Sequence, residues 1–461
     1  MKTKTKMKMK RTMPFIFIPG TLALWWAGLI FIFLSLRCDT TEPPMPKASL
    51  SLTLEDVSCT EAWLMLKLSE IPLPATVTLY KNSVAQNNIL CYGDTLLYVD
   101  SLLPKQTYKF QSFIQSIPPE AGRQSILSNE LSVTTMDTTS HNFTWQTFTF
   151  GEHSSSALYD VAIMNENNIW AVGEIYMKDS LGRPDPTFYN AVHWNGTEWE
   201  LKKIFYKGGI WVIRTIFAFD ENDIWFSGYM RYLNGQFVEL PIPNILMGWQ
   251  INKLWGRSSN DLYAVGNGGN IAHYQNGVWT KIESGTTIDL LDVWGTPDGS
   301  IVWACGYDPG YYKTILLQYK SKVIKKFYEG SPNNQVNGFY VGLFDGIWTD
   351  SDNITYFINW GGICSINFND FNNFKLFTPV LSDIGFAMSA SKKNNIFITG
   401  QHGLLAHFNG LSIKEYVELR NNKDYLYGIN VKIDLVCSIG SRTVNVIYSQ
   451  AIIHLIKTQG D

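Results

Sequence analysis

From about residue 143 the apolar positions fall into runs of four to seven residues, rich in β-branched and aromatic side chains and bounded by Gly, Asn, Asp or Ser. Runs of that length between turn-forming residues predict short strands. The clearest stretch is 251–306. Its first run ends at Leu254-Trp255-Gly256, a polar turn follows, and Asp261-Leu262-Tyr263-Ala264-Val265-Gly266 is the second. A third covers residues 271–274, then Asn276-Gly277 precedes a fourth opened by Val278-Trp279, and residues 288–295 start the cycle again. Asn-Gly is the strongest short hairpin signal, because both residues tolerate the positive φ of a type I′ turn. Four antiparallel strands recurring at about forty residues predict the blades of a β-propeller.

The second strand marks each repeat: 169–173, 224–228, 262–266, 302–306, 354–358, 396–400 and 435–440, which predicts seven blades, the fifth and seventh degenerate. The Asn-Gly hairpin recurs at Asn195-Gly196, Asn234-Gly235 and Asn409-Gly410. Trp145 to Gly151 has the spacing of Trp279 to Gly285, an outer strand, yet it precedes the first inner strand at 158–163. Residues 143–150 are therefore expected to pair with the C-terminal strands and seal the ring, which removes an exposed edge. A spare run remains at 444–448 or 451–456. The segment from Trp255 to Gly266 resembles the repeats of bacterial exported propellers related to the sialidase-type and photosystem-assembly-factor groups. That resemblance implies the fold of residues 143–461 and is nearly silent on function, since one fold serves many.

Upstream, strand-like runs at 49–54, 62–68, 76–80, 95–99, 108–114 and 130–134 predict a small β-sandwich over residues 48–136. Leu103-Pro104-Lys105-Gln106-Thr107-Tyr108 resembles the leucine–proline–tyrosine corner of fibronectin type III domains, and residues 128–135 resemble their last strand. The resemblance implies that Trp63 is the core tryptophan of the second strand and that the domain is a spacer or a binding module. Cys59 and Cys91 share this domain and are candidates for a disulfide in an oxidising compartment. Cys305, Cys364 and Cys437 fall inside predicted strands as small apolar residues.

Residues 1–38 are a separate object, a predicted signal or anchor helix. Lys2, Lys4, Lys6, Lys8, Lys10 and Arg11 precede an uncharged apolar run at 14–36. This reads as an export segment, long enough to span a bilayer. Two outcomes are open. Ser35-Leu36-Arg37-Cys38 resembles a degenerate lipobox, which implies a lipidated Cys38 and a bacterial lipoprotein with residues 39–47 as tether. Alternatively the segment stays as a signal anchor. Both place everything after Cys38 outside the cytoplasm, in periplasm or at the cell surface.

Charge narrows the partners. The first 38 residues carry seven Lys and Arg and no acid, so the −3 of the whole chain leaves −10 on the remainder. Such a body has no electrostatic footprint for nucleic acid. His193, His273 and His407 occupy one repeat position in separate blades, as do Arg231 and Gln318, and read as polar residues between sheets, not as ligands of one ion. No metal or cofactor is indicated, and no catalytic set stands out. A carbohydrate-active enzyme, hydrolase or transferase in type, remains as the alternative; it requires a carboxylate pair in the central funnel.

Loop lengths carry the functional signal. Turns joining first to second and third to fourth strands are short and share one face, whereas the other face receives the insertions 174–190, 204–211, 241–250, 307–313 and 329–340. Function concentrates on loops held by rigid scaffolds, and exposed aromatics supply recognition energy. The expected ligand-binding residues are Tyr176, Trp211, Trp249, Tyr307, Tyr311 and Tyr340. The chain thus reads as an all-β, membrane-tethered, monomeric binding protein that takes a protein or glycan.

Overall fold

The computed structural model describes residues 47–117, 124–367, 371–377 and 379–458. The predicted signal or anchor segment, Cys38 and tether residues 39–46 lie outside them. From residue 143 the chain is a β-propeller built of four-stranded antiparallel sheets, seven of them among the described residues. Sheet 1 takes Ala157–Asn165, Asn168–Ile175, Tyr189–Trp194 and Trp199–Lys202; sheet 2 takes Ile216–Asp220, Asp223–Phe226, Met230–Leu233 and Gln236–Glu239. Sheet 3 takes Ile251–Ser258, Asp261–Gly266, Ile271–Gln275 and Val278–Ile282; sheet 4 takes Leu290–Gly295, Ile301–Tyr307, Thr314–Lys320 and Val323–Gly330. Sheet 5 takes Gly346–Trp348, Ile354–Asn359, Gly362–Asn367 and Phe374–Leu376; sheet 6 takes Gly385–Lys392, Asn395–Gly400, Leu405–Phe408 and Ile413–Glu415. Sheet 7 takes Asp424–Lys432, Leu435–Thr443 and Ser449–Thr458, and its outer strand is Phe143–Phe150, paired antiparallel with Ser449–Thr458. Residues 451–456 are thus not spare. They form the third strand of sheet 7, and the exposed loop carrying Val446 and Ile447 precedes them.

Each first strand packs against the next, and that of sheet 7 packs against that of sheet 1. The second strands read as unbroken apolar runs because both faces meet neighbouring sheets; Asp261–Gly266, Ile354–Asn359 and Asn395–Gly400 are buried along their whole length. Outer strands such as Gln236–Glu239 are exposed throughout.

Two repeated polar devices organise this core. Around the central channel, side chains of one first strand bond the backbone of the next. Asp160 accepts the Ile216 amide (3.0 Å), Thr215 that of Leu254 (3.2 Å), and Asp292 that of Ile347 (2.9 Å). Ser389 accepts from Val431 (3.1 Å), Asn430 from Ile163 (3.1 Å), and Asn252 donates to the Leu290 carbonyl (2.8 Å). Each bond satisfies a buried backbone group that the sheet ladders leave open. The second device links an Asp or Asn at the start of the second strand with the third-strand residue stacked on the second-strand aromatic. His193 stacks on Trp170 and bonds Asn168; His273 stacks on Tyr263 and bonds Asp261; His407 stacks on Phe397 and bonds Asn395. In sheet 2, Arg231 lies over Trp225 and grips Asp223 with two nitrogens. The histidines serve three separate sheets.

The N-terminal region forms two antiparallel sheets around one core. Ser49–Val57, Ala62–Ser69 and Thr95–Val99 make the first; Val84–Cys91, Ala75–Lys81, Thr107–Ile117, Gln124–Leu127 and Leu131–Thr134 make the second. The strands Val84–Cys91 and Gln124–Leu127 are additions to the sequence reading. The first is an exposed edge whose polar centre, Gln86-Asn87-Asn88, hides any alternation. The Tyr108 hydroxyl accepts the Leu103 amide at 2.9 Å, a bond of the tyrosine-corner kind.

Trp63 departs from its expected place. Leu64 and Leu66 enter the sandwich core, so their neighbour Trp63 points to the opposite face of the strand. There it is fully buried against Trp348, Ile354, Tyr356 and Phe408 of sheets 5 and 6. The sandwich therefore sits on the short-turn face of the propeller. Lys393, 6% exposed in its side chain, lies between Asp56 (2.5 Å) and Asp350 (3.1 Å), and Glu61 meets Lys375 at 3.2 Å. Residues 137–142, which join the sandwich to the propeller, are pinned to sheet 6. Thr139 bonds the Asn394 carbonyl, and His141 shares a 2.8 Å contact with His407.

The expected disulfide is not formed, and both cysteines are free. Cys91 packs in the sandwich core, whereas Cys59 faces the propeller, its Sγ 3.2 Å from the Asp137 carbonyl and closely opposed by Gly410. Burial, with Asp137 and Glu61 adding to it, pushes the Cys59 thiol up to about 12, so it stays protonated and unreactive.

Candidate functional site

Strand order decides which loops share a rim. In an antiparallel four-stranded sheet, the connection from second to third strand and the one leading to the next sheet leave from the same end. The segments between strands at 176–188, 203–215, 240–250, 308–313 and 331–345 therefore emerge on one rim, and the sandwich covers turns of the other.

On that rim, Trp211 and Trp249 come together. They line one groove of about 380 Å³ with Tyr206, Tyr229, Ile242 and Met247. Trp211 and Met247 stand 61% and 65% exposed, so the groove has an open apolar edge and a packed floor. The floor exists because residues 240–250 are rich in Ile and Leu and fold back as a short 3₁₀ turn, Asn244–Leu246, with Leu246 buried. Those apolar residues within an insertion were the available signal for Ile242 and Met247, which the aromatic criterion passed over.

The other expected residues are dispersed. Tyr176 packs on Phe188 and His153 and donates to Glu174 at 2.7 Å. Burial first, then Glu174, pushes its hydroxyl up to about 12. Tyr307 and Tyr311 pack as tilted rings at 5.5 Å, but the Tyr307 hydroxyl bonds Asp345, a carboxyl raised well above its ordinary range by burial. Tyr307 is thus a structural partner of a buried acid. Tyr340 is 59% exposed on the small hairpin of Gln335–Val336 and Phe339–Tyr340.

The channel holds charge of its own. Lys253 reaches from sheet 3 to Asp160 of sheet 1 at 2.7 Å, and Asp160 also accepts the Thr215 hydroxyl at 2.9 Å. Burial raises the Asp292 carboxyl to about 6, against the pull of Lys253 and two amides. At the channel's upper mouth, Tyr159, Tyr427 and Phe386 form an arc of half-buried rings, with Arg214 over Tyr159 at 4.8 Å. None of these four is among the expected ligand-binding residues.

No protein-family model matches the chain, and no curated protein matches it. Solved structures do. YCF48 bound to D1 peptide aligns with TM-score 0.50 and 13% identity, covering 69% of this chain and 97% of that one. YCF48 from Cyanidioschyzon merolae aligns at 0.42 and 13%, covering 68% and 98%. PorZ, a surface component of the type-IX secretion system of Porphyromonas gingivalis, aligns at 0.46 and 11%, covering 88% of this chain and 62% of that one. At these identities the likeness concerns the propeller fold.

Proposed function

We propose that the chain is an extracytoplasmic binding scaffold tethered to a bacterial membrane, which recognises a protein or glycan through the long-loop rim of a seven-bladed propeller. Residues 1–38 export the chain and hold it, through lipidated Cys38 or as a retained anchor, and residues 39–47 are the tether. Residues 48–136 are a fibronectin type III-like spacer, a reading supported by the two-sheet strand order and the Tyr108–Leu103 bond. Residues 143–461 are the propeller, with 143–150 as its closing strand. The observation that carries the proposal is the division between rims: the sandwich sits on one, and the other carries the irregular connections, two of which build the Trp211–Trp249 groove. The YCF48 structure, which holds a D1 peptide, is a precedent for peptide binding on this fold.

The test is a Trp211→Ala, Trp249→Ala double variant, probed on an array of envelope proteins and glycans. Contact aromatics of this kind are worth about 2–4 kcal/mol each in tight interfaces, so captured ligands should weaken at least tenfold. Trp211→Ala alone should barely change the melting temperature, because Trp211 is largely exposed, whereas Trp249 packs on the core beside Leu246 and Ile251 and the double variant should melt lower. An unaltered ligand profile removes the groove from the proposal. The channel carboxylates give the enzymatic alternative no support, since Asp160 and Asp292 both accept backbone amides of neighbouring sheets.

A further inference from the structure

The arginines single out a second place on the same rim. Among the described residues, Arg183, Arg231, Arg257, Arg420 and Arg442 each pair with an Asp or Glu. Arg214 pairs with none; its guanidinium lies over the Tyr159 ring, 4.8 Å from the centroid. The acid beside Tyr159 is already occupied. Glu174 accepts the Tyr159 hydroxyl at 2.6 Å on one oxygen and the Tyr176 hydroxyl at 2.7 Å on the other. Cation–π stacking fixes the plane of a guanidinium while leaving its N–H donors to point outward.

The surroundings are apolar. Tyr159 stands 6.3 Å from Tyr427 of sheet 7, which stacks on Phe386 of sheet 6 at 6.2 Å and 21°. All three rings sit near the start of their first strands, where the channel opens onto the long-loop rim. Tyr427, 37% exposed, receives the Ser441 hydroxyl at 3.1 Å. The mouth thus offers ring faces and a guanidinium with no ion-pair partner, while the Tyr159 hydroxyl donates to Glu174 and the Tyr427 hydroxyl accepts from Ser441.

We propose that this mouth binds a peptide carboxylate, a free C terminus or an acidic side chain, next to an aromatic or branched residue. Arg214 takes both carboxylate oxygens through its fork of N–H donors, and the Tyr159–Tyr427–Phe386 arc takes the apolar group. A sugar acid fits less well, because the hydroxyls at the edge of its ring need several polar partners and the arc is mostly ring carbon. The proposal rests on the reading of this rim as a binding surface and names its partner chemistry, with none of the residues of the Trp211–Trp249 groove.

The test titrates the full chain in mild detergent with three probes, followed by ligand-observed NMR: N-acetylphenylalanine, N-acetylphenylalaninamide and glucuronate. The carboxylate should bind at least tenfold more tightly than the amide and than glucuronate. Arg214→Gln should remove that tenfold preference, Arg214→Lys should restore part of it, and neither should shift the melting temperature, since the side chain is exposed. The Trp211→Ala, Trp249→Ala protein should bind the carboxylate as the parent does, which separates this site from the groove. Equal binding of acid and amide, a preference for glucuronate, undiminished binding by Arg214→Gln, or no binding of any probe would each overturn the proposal.

Discussion

Trp63→Ala should cost about 3–5 kcal/mol, the usual range for emptying a buried tryptophan site, and should split one calorimetric unfolding transition into two. The side chain is fully buried in one apolar cluster with Trp348, Ile354, Tyr356 and Phe408 of the propeller, and it packs on Tyr98 of its own domain. Removing it opens a cavity at the join while leaving the sandwich core of Leu64, Leu66, Val77 and Phe110 intact. The polar contacts around it, Lys393 between Asp56 and Asp350 and Glu61 with Lys375, then have to hold the two parts without an apolar centre. Trp63→Phe should restore most of the loss, because the indole Nε1 has no hydrogen-bond partner and only its ring is needed. A single transition at an unshifted temperature in Trp63→Ala would refute the idea that this residue couples the domains.

Acid should weaken the ring at its seam. Burial holds His407 down to about 3 and His454 down to about 4, far below the ordinary imidazole value of about 6.5. His454 bonds Thr147 of the closing strand at 2.8 Å, and His407 contacts His141, which precedes that strand. Because their folded values are depressed, the unfolded chain binds the extra protons. The stabilising contribution is whole above about pH 6.5 and falls as pH drops toward 4 and then 3. Between pH 6.5 and pH 5 each residue should forfeit about 2 kcal/mol. Asp292, raised to about 6, acts in the opposite sense, so a comparison of variants is required. Denaturant midpoints at pH 7.5 and pH 5 should differ strongly in the parent and much less in a His407→Gln, His454→Gln double variant. Equal losses in both proteins would exclude these histidines as the cause.

How far the sequence reaches depends on whether a feature is local. Asn276-Gly277 has φ values of 50° and 89° and Asn234-Gly235 has 49° and 87°, the positive pair that a type I′ turn needs. At Asn195-Gly196 and Asn409-Gly410 only the glycine is positive, because each Asn side chain accepts amides further on and makes a longer Asx turn. The dipeptide marks the hairpin, and the next residues choose its kind. Trp63 shows a second limit: alternation along Ala62–Ser69 says that Trp63 and Leu64 face opposite ways, but not which side has a partner. The fibronectin-like motif pointed to the core, and the propeller supplied a second one.

The site is less legible for the same reason. Trp211 and Trp249 meet because connections leading into adjacent sheets are neighbours on the rim, a fact of topology that repeat counting supplies. Arg214 is conspicuous only once its counterparts are found paired, as Arg442 is with Asp424 and Arg420 with Glu415. Partners that lie in other strands leave no trace in local composition.

The closing strand has a consequence for biosynthesis. Thr147 and His454, bonded across the seam, are 307 residues apart in sequence. During synthesis the strand at 143–150, with Trp145, Phe148 and Phe150, waits without a hydrogen-bonded partner strand while the six intervening sheets are made, and the ten-residue strand Ser449–Thr458 alone completes its pairing. A nascent chain interrupted shortly before Ser449 would present that aromatic edge to whatever chaperone or sister chain is nearby. The final residues thus decide between a finished ring and an aggregation-prone open arc.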